Sequence, residues 1–317
     1  MNAGATDIAR RLQAGLASVV AGNEGPNFAV LVALLAGGHL LLEGVPGTAK
    51  TLIVRTLARL LGIGFRRIQF TPDLMPSDIV GTTVFDPAAG TFSFRRGPIF
   101  TNLVLADEIN RTPAKTQSAL LEAMEERQVT IDGETHPIAG PFFVCATQNP
   151  IEFEGTYPLP EAQLDRFIVR ARTGYPTQAQ ERELLARTVA GFDAHDLATA
   201  HIEAAGDAND ILAAQRDVRA IHVEPNVQGY VLALAVATRA AADVTLGASP
   251  RGALALLVAA QAAAAIAGRT FVTPDDVKDV APLVLAHRIL VRPEAELEGV
   301  NADAVVARIL ASVPAPT

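Results

Sequence analysis

Apolar positions along the chain follow two patterns, and the change from one to the other divides it near residue 174. In the first part, short apolar runs bounded by turn formers at residues 39–43, 66–70, 103–108 and 142–146 predict buried strands of a parallel sheet. Between them lie stretches of helical spacing at 6–20, 27–36, 50–61 and 113–127, the last with Ala119, Leu120, Ala123 and Met124 on one face. Two hairpins interrupt the alternation. One spans 82–94 around Asp86-Pro87-Ala88-Ala89-Gly90, and the other spans 128–138 around Asp132-Gly133. After Tyr175-Pro176, Thr177 and Gln180 form a capping box, and the pattern turns helical with almost no strand signal. Helices are expected at 227–242 and 250–268, and Thr273-Pro274-Asp275-Asp276 opens another with proline at its first position and acids in its first turn. The pattern predicts an α/β core over 1–174, carrying both hairpins, and a smaller all-helical domain over 175–317.

Gly44-Val45-Pro46-Gly47-Thr48-Ala49-Lys50-Thr51 links the first predicted strand to a helix. In such a strand–loop–helix, backbone N–H groups surround a phosphate while a lysine reaches its outer oxygens. Gly44, Pro46, Gly47, Thr48, Ala49, Lys50, Thr51 and Leu52 are the candidate nucleotide-binding residues, with Thr51 a magnesium ligand. The match to the P-loop pattern departs at Ala49, where a second glycine is usual; a residue entering the helix at negative φ would need none. An ordinary glycine-bearing turn would show the same spacing.

A second segment bears on that choice. The run over 103–108 ends in Asp107-Glu108, and a parallel strand delivers both acids to the sheet edge where a P-loop opens. Asp107 would hold magnesium, directly or through water, and Glu108 would polarise the attacking water. A triphosphate also needs positive charge on its far side. Arg166 is the candidate for an arginine finger given to a neighbouring subunit, and Arg251 for a sensor within the same chain; either alone would read as a surface ion pair.

Composition narrows the partners. At 317 residues, half of them hydrophobic and none tryptophan, the chain can fill two aliphatic cores. No apolar stretch reaches a bilayer span, and Asp7, Arg10 and Arg11 make the first twenty residues an amphipathic helix instead of a cleaved signal, so a cytoplasmic protein is expected. Net charge of −8 argues against a nucleic-acid partner; Arg66-Arg67 and Arg95-Arg96 read as intersubunit or solvated charges. The single cysteine, Cys145, falls in a core strand, and the six histidines, His195 and His201 included, show no metal-ligand spacing.

These motifs resemble those of the MoxR-type AAA+ ATPases of the helix-2-insert clade. The similarity runs from residue 22 to 289 and includes Asp107-Glu108-Ile109-Asn110-Arg111, Ala146-Thr147-Gln148-Asn149-Pro150 and the segment from Gly155 through Leu164-Asp165-Arg166-Phe167. It implies a P-loop αβα sandwich followed by a helical lid, and ATP hydrolysis with Mg2+. By resemblance, Asn149 is the sensor that aligns the attacking water, Arg166 the finger and Arg251 the second sensor on the lid. Asn23 and Glu24 stand where the family approaches the adenine, although Pro26 departs from its usual acidic helix. The hairpin over 82–94 resembles an insertion directed at a central pore. Family members are similar in forming homo-hexameric rings that remodel client proteins or complexes, or insert their metal cofactors, with a von Willebrand factor A partner. Three other uses of the same engine stay open: a magnesium-chelatase motor, a nucleic-acid motor, and an ATP-gated scaffold without turnover, against which Glu108 argues.

Overall fold

A computed structural model of the chain describes residues 3–20, 22–45, 47–88, 90–149, 155–194, 196–200 and 202–316. Pro46, Pro150, His195 and His201, singled out above, lie outside the described residues. The centre is a five-stranded parallel sheet in the spatial order Phe65–Gln69, Leu103–Asp107, Phe143–Gln148, Leu40–Gly44 and Val169–Thr173. Successive side chains of a strand point to opposite faces, so a central strand needs apolar residues at every position. Leu40 and Leu42 accordingly enter one core with Leu103, Leu105, Phe143 and Cys145, while Leu41 enters a second with Val104, Ala106, Val144 and Ala146.

Helices cover both faces. Ala3–Val19, Glu24–Leu35 and Lys50–Leu61 pack on the first; Ala114–Glu126 and the short Pro76–Val80 contribute Leu120, Leu121, Met124 and Ile79 to the second. The αβα sandwich is therefore set by the unbroken apolar runs of the inner strands. The hairpins are Gly81–Asp86 with Thr91–Arg96, and Gln128–Ile131 with Glu134–Pro137.

The fifth strand, Val169–Thr173, escaped the sequence reading. It pairs through only one edge, against Leu40–Gly44, and alternates buried Val169, Ala171 and Thr173 with Arg170 and Arg172, so it has no continuous apolar run. The capping box at Thr177 opens the Gln178–Val189 helix as expected, with Gln180 N–H bonded to Thr177 Oγ1 at 3.4 Å. The later part is mainly helical: Ala208–Arg219, Pro225–Ala240, Pro250–Ile266, Pro274–Leu285 and Ala302–Ser312. It also contains an unpredicted antiparallel pair, Val244–Leu246 with Leu290–Val291, too short to show a period. These helices do not stand apart, because Leu256, Ala259, Val277 and Ile211 share the first core with Leu12, Leu16, Leu31 and Leu34 of the two opening helices. Among the described residues no helix is long and apolar enough to cross a membrane.

Candidate active site

Parallel topology brings the carboxyl ends of Leu40–Gly44, Leu103–Asp107 and Phe143–Gln148 to one edge, the place where open α/β sheets bind ligands. There a cavity of about 650 Å³ is lined by Gly47, Thr48, Ala49, Lys50, Thr51 and Leu52 of the loop and helix start. Asp107, Glu108 and Asn149 line it from the strand ends. Thr48 ties the loop to the sheet: its Oγ1 donates to Val45 O at 2.9 Å and meets Thr173 Oγ1 of the edge strand at 2.8 Å. Gly44 belongs to the strand beneath the loop and has no room for a side chain, since a Cβ there would stand 2.5 Å from the Thr173 carbonyl oxygen. Gly47 has a φ of 82° and open space where a Cβ would project, which leaves the loop backbone bare toward the cavity.

Ala49 corrects an expectation. Its φ is 59°, in the left-handed region, so the position calls for glycine after all and the alanine is strained there. Lys50 Nζ curls onto the loop, donating to the Gly44 carbonyl and, at 3.0 Å, to the Val45 carbonyl. Desolvation holds its ammonium below the ordinary lysine value, against the pull of Asp107 and Glu108.

The two acids are wired to strand neighbours. Asp107 Oδ1 accepts from Thr147 Oγ1 at 2.6 Å, and Oδ2 accepts from Arg67 Nη2 at 2.6 Å and Nε at 3.0 Å. The Glu108 N–H donates to Thr147 Oγ1 at 2.9 Å, while Glu108 Oε2 accepts from Gln69 Nε2 at 2.9 Å and from Arg111 Nη1 at 3.2 Å. Arg67 is thus a site residue and not a merely solvated charge. Its signal was the parallel register, which puts Gln69 beside Asp107, and sequence spacing alone cannot supply a register. Thr147 stood in a quoted motif without a role, and Gln69 went unnoticed.

The residue types suit a magnesium nucleotide. A bare loop, a lysine and a helix N-terminus match a triphosphate, and an oxygen-only pair, the Thr51 hydroxyl and the Asp107 carboxylate, matches a cation that keeps most of its shell as water and phosphate. Gln148 adds a buried Oε1 at this cavity with no hydrogen-bond partner among the described residues.

Comparison with known proteins decides the family. Residues 39–169 match the model of the ATPase family associated with various cellular activities (AAA), and 236–309 match the AAA lid domain. Chaperone MoxR1 of Mycobacterium tuberculosis is 44% identical over 297 residues, covering 90% of this chain and 77% of that protein. This chain belongs to the MoxR family of AAA+ ATPases. YeaC of Bacillus subtilis is 49% identical over 286 residues, with 90% of this chain and 88% of YeaC covered. A crystal structure from Cytophaga hutchinsonii, of a protein assigned as an ATPase, superposes with a TM-score of 0.89 at 40% identity over 99% of this chain and 96% of that one. As a MoxR-family ATPase, the chain binds and hydrolyses ATP.

The remaining candidates lie elsewhere. Arg166 and Arg251 line a separate cavity of about 390 Å³ and converge on one carboxylate: Arg166 Nε stands 3.1 Å from Glu125 Oε2, and Arg251 Nη2 donates to Glu125 Oε1 at 2.7 Å. The Glu125 hydrogen bond holds the Arg251 guanidinium above its ordinary value. Arg251, at the start of the Pro250–Ile266 helix, reaches Glu125 at the end of the Ala114–Glu126 helix and does not line the P-loop cavity, so this geometry shows no contact that would make it an in-chain sensor. Asn23 and Glu24 also fall outside the residues lining the P-loop cavity; Asn23 precedes the Glu24–Leu35 helix without capping it through its side chain, and Glu24 is exposed.

Proposed function

We propose that this ATPase is completed only in a ring, hexameric as the family resemblance implies, in which each chain supplies the P-loop half of one site and the arginine half of the next. The observation that carries the reading is the separation of Arg166 and Arg251 from their own P-loop cavity, on a cavity of their own where both face Glu125. In this scheme Lys50 and the N–H groups of the loop hold the β- and γ-phosphates, and Thr51 and Asp107 hold magnesium. When bound, the metal supplies charge that offsets the negative charge of the phosphate oxygens. Glu108 polarises the attacking water by accepting its O–H and Asn149 aligns it, while Arg166 of a neighbour, with Arg251 beside it, meets the γ-phosphate.

Gln69 and Arg111 hold Glu108 by its Oε2, which fixes the carboxylate at the cavity through one of its two oxygens. The work done is remodelling of client proteins or complexes or insertion of their metal cofactor, together with a von Willebrand factor A partner, in the cytoplasm. The division into a core over 1–174 and a lid over 175–317 belongs to the same reading, the lid being the element that carries Arg251.

Steady-state ATPase activity measured against protein concentration, with light scattering on the same samples, tests the reading. Specific activity should climb as a ring-sized species forms. Constant specific activity from a monomer would overturn the shared site.

A further inference from the structure

Arg166 and Arg251 come from distant parts of the chain, yet one partly buried network joins the segments that bear them. Asp165 precedes Arg166, and its carboxylate accepts from Arg288 Nε at 2.7 Å and from Ser249 Oγ at 3.3 Å. Ser249 caps the Pro250–Ile266 helix, accepting the Gly252 N–H at 3.2 Å, two residues before Arg251. Arg288 is 3% exposed and sits in the turn after the Pro274–Leu285 helix.

A guanidinium has five N–H donors in a rigid fork, and all of them are used. Nε takes the Asp165 carboxylate, Nη2 donates to Asp165 O at 3.1 Å and Phe167 O at 2.7 Å, and Nη1 donates to Ile168 O at 3.2 Å and Val284 O at 2.5 Å. Three of these five acceptors belong to the residues on either side of Arg166, and a fourth to Ile168 two residues on. Gly252 makes room for the fork, since a Cβ there would stand 3.0 Å from Arg288 Cδ. Burial pulls the Arg288 guanidinium below its ordinary value, and Asp165 opposes that pull.

We infer that Asp165 and Arg288 are positioning residues that lock Arg166 and Arg251 into one rigid pair, so that both meet the terminal phosphate on a neighbouring copy in a single orientation. The inference rests on the shared-site reading above. Misplacing a charge by about 1 Å can cost on the order of 100-fold in rate, which is the scale on which such a frame acts.

The test is a double-mutant cycle on kcat and KM for ATP in samples matched for ring content. Asp165→Asn should lower kcat by about tenfold or more and leave KM within about twofold, because each subunit keeps its own P-loop intact. In an Arg166→Ala, Arg251→Ala background the same substitution should cost less than about twofold, since both groups it positions are gone. Arg288→Lys, which keeps the charge and loses the fork, should repeat this signature and serves if Asp165→Asn folds poorly. Equal losses in both backgrounds would reduce Asp165 to a structural role, and an undiminished kcat in Asp165→Asn would overturn the inference. If Arg166→Ala alone leaves kcat unchanged, the shared-site reading fails instead.

Discussion

Ala49 carries the clearest single-residue strain at the nucleotide loop. A left-handed alanine costs about 1 kcal/mol, and its φ of 59° puts that cost at the entry to the Lys50–Leu61 helix. Ala49→Gly should raise stability by about 0.5–1 kcal/mol in chemical denaturation. A fall would mean that the methyl group, which packs on the first core, outweighs the backbone strain. His39 supplies a second prediction. Buried at the start of the Leu40–Gly44 strand, it accepts the Val144 N–H on Nδ1 at 3.0 Å, so its Nε2 donates to Met124 O at 3.1 Å and the ring is neutral. Desolvation pulls its pKa from 6.5 down to about 4. The unfolded chain therefore takes up this proton first, and the contribution to stability is complete above pH 6.5 and lost as pH falls toward 4, roughly 3 kcal/mol over that window. Between pH 7.5 and 5, urea denaturation should cost the native chain about 2 kcal/mol more than His39→Gln. Equal losses would show that His39 is not the titrating group.

The hairpins act as one element. Thr83 Oγ1 donates to Asp132 Oδ2 at 2.5 Å, and Phe94 stacks on His136 with ring centroids 4.2 Å apart, so Gly81–Asp86 and Thr91–Arg96 are tied to Gln128–Ile131 and Glu134–Pro137. Phe85 and Phe92 pair at 5.0 Å near the tip of the first hairpin, and both are exposed. Neither lines the P-loop cavity, so Phe85→Ala with Phe92→Ala should leave basal ATPase within about twofold and abolish any stimulation by a client. Loss of ATP binding would make the tip part of the core instead. Breakers at residues 86–90 and at Asp132-Gly133 made both hairpins legible, but nothing in either segment announced that they touch.

In the whole molecule the P-loop cavity and the cavity of Arg166 and Arg251 are separate, and mixing experiments test whether they are the halves of one shared site. Arg166→Ala subunits retain a complete P-loop, and Glu108→Gln subunits retain their arginines. Mixed rings should therefore regain part of the ATPase activity that each pure variant lacks, by up to a quarter of sites at equal proportions for random assembly across shared interfaces. Rings that form and show no rescue would place both roles in one chain. Local sequence determined the P-loop, the paired acids after a buried strand, the Thr177 cap and the order of core elements, because each rests on spacing within one segment. Tertiary structure alone decided that Arg67 reaches Asp107, that Ala49 is left-handed, that the edge strand Val169–Thr173 completes the sheet, and that Arg288 grips the Arg166 segment. Strand register, backbone angle at a loop and the meeting of segments more than 100 residues apart are set by packing of the whole chain, which no local pattern encodes.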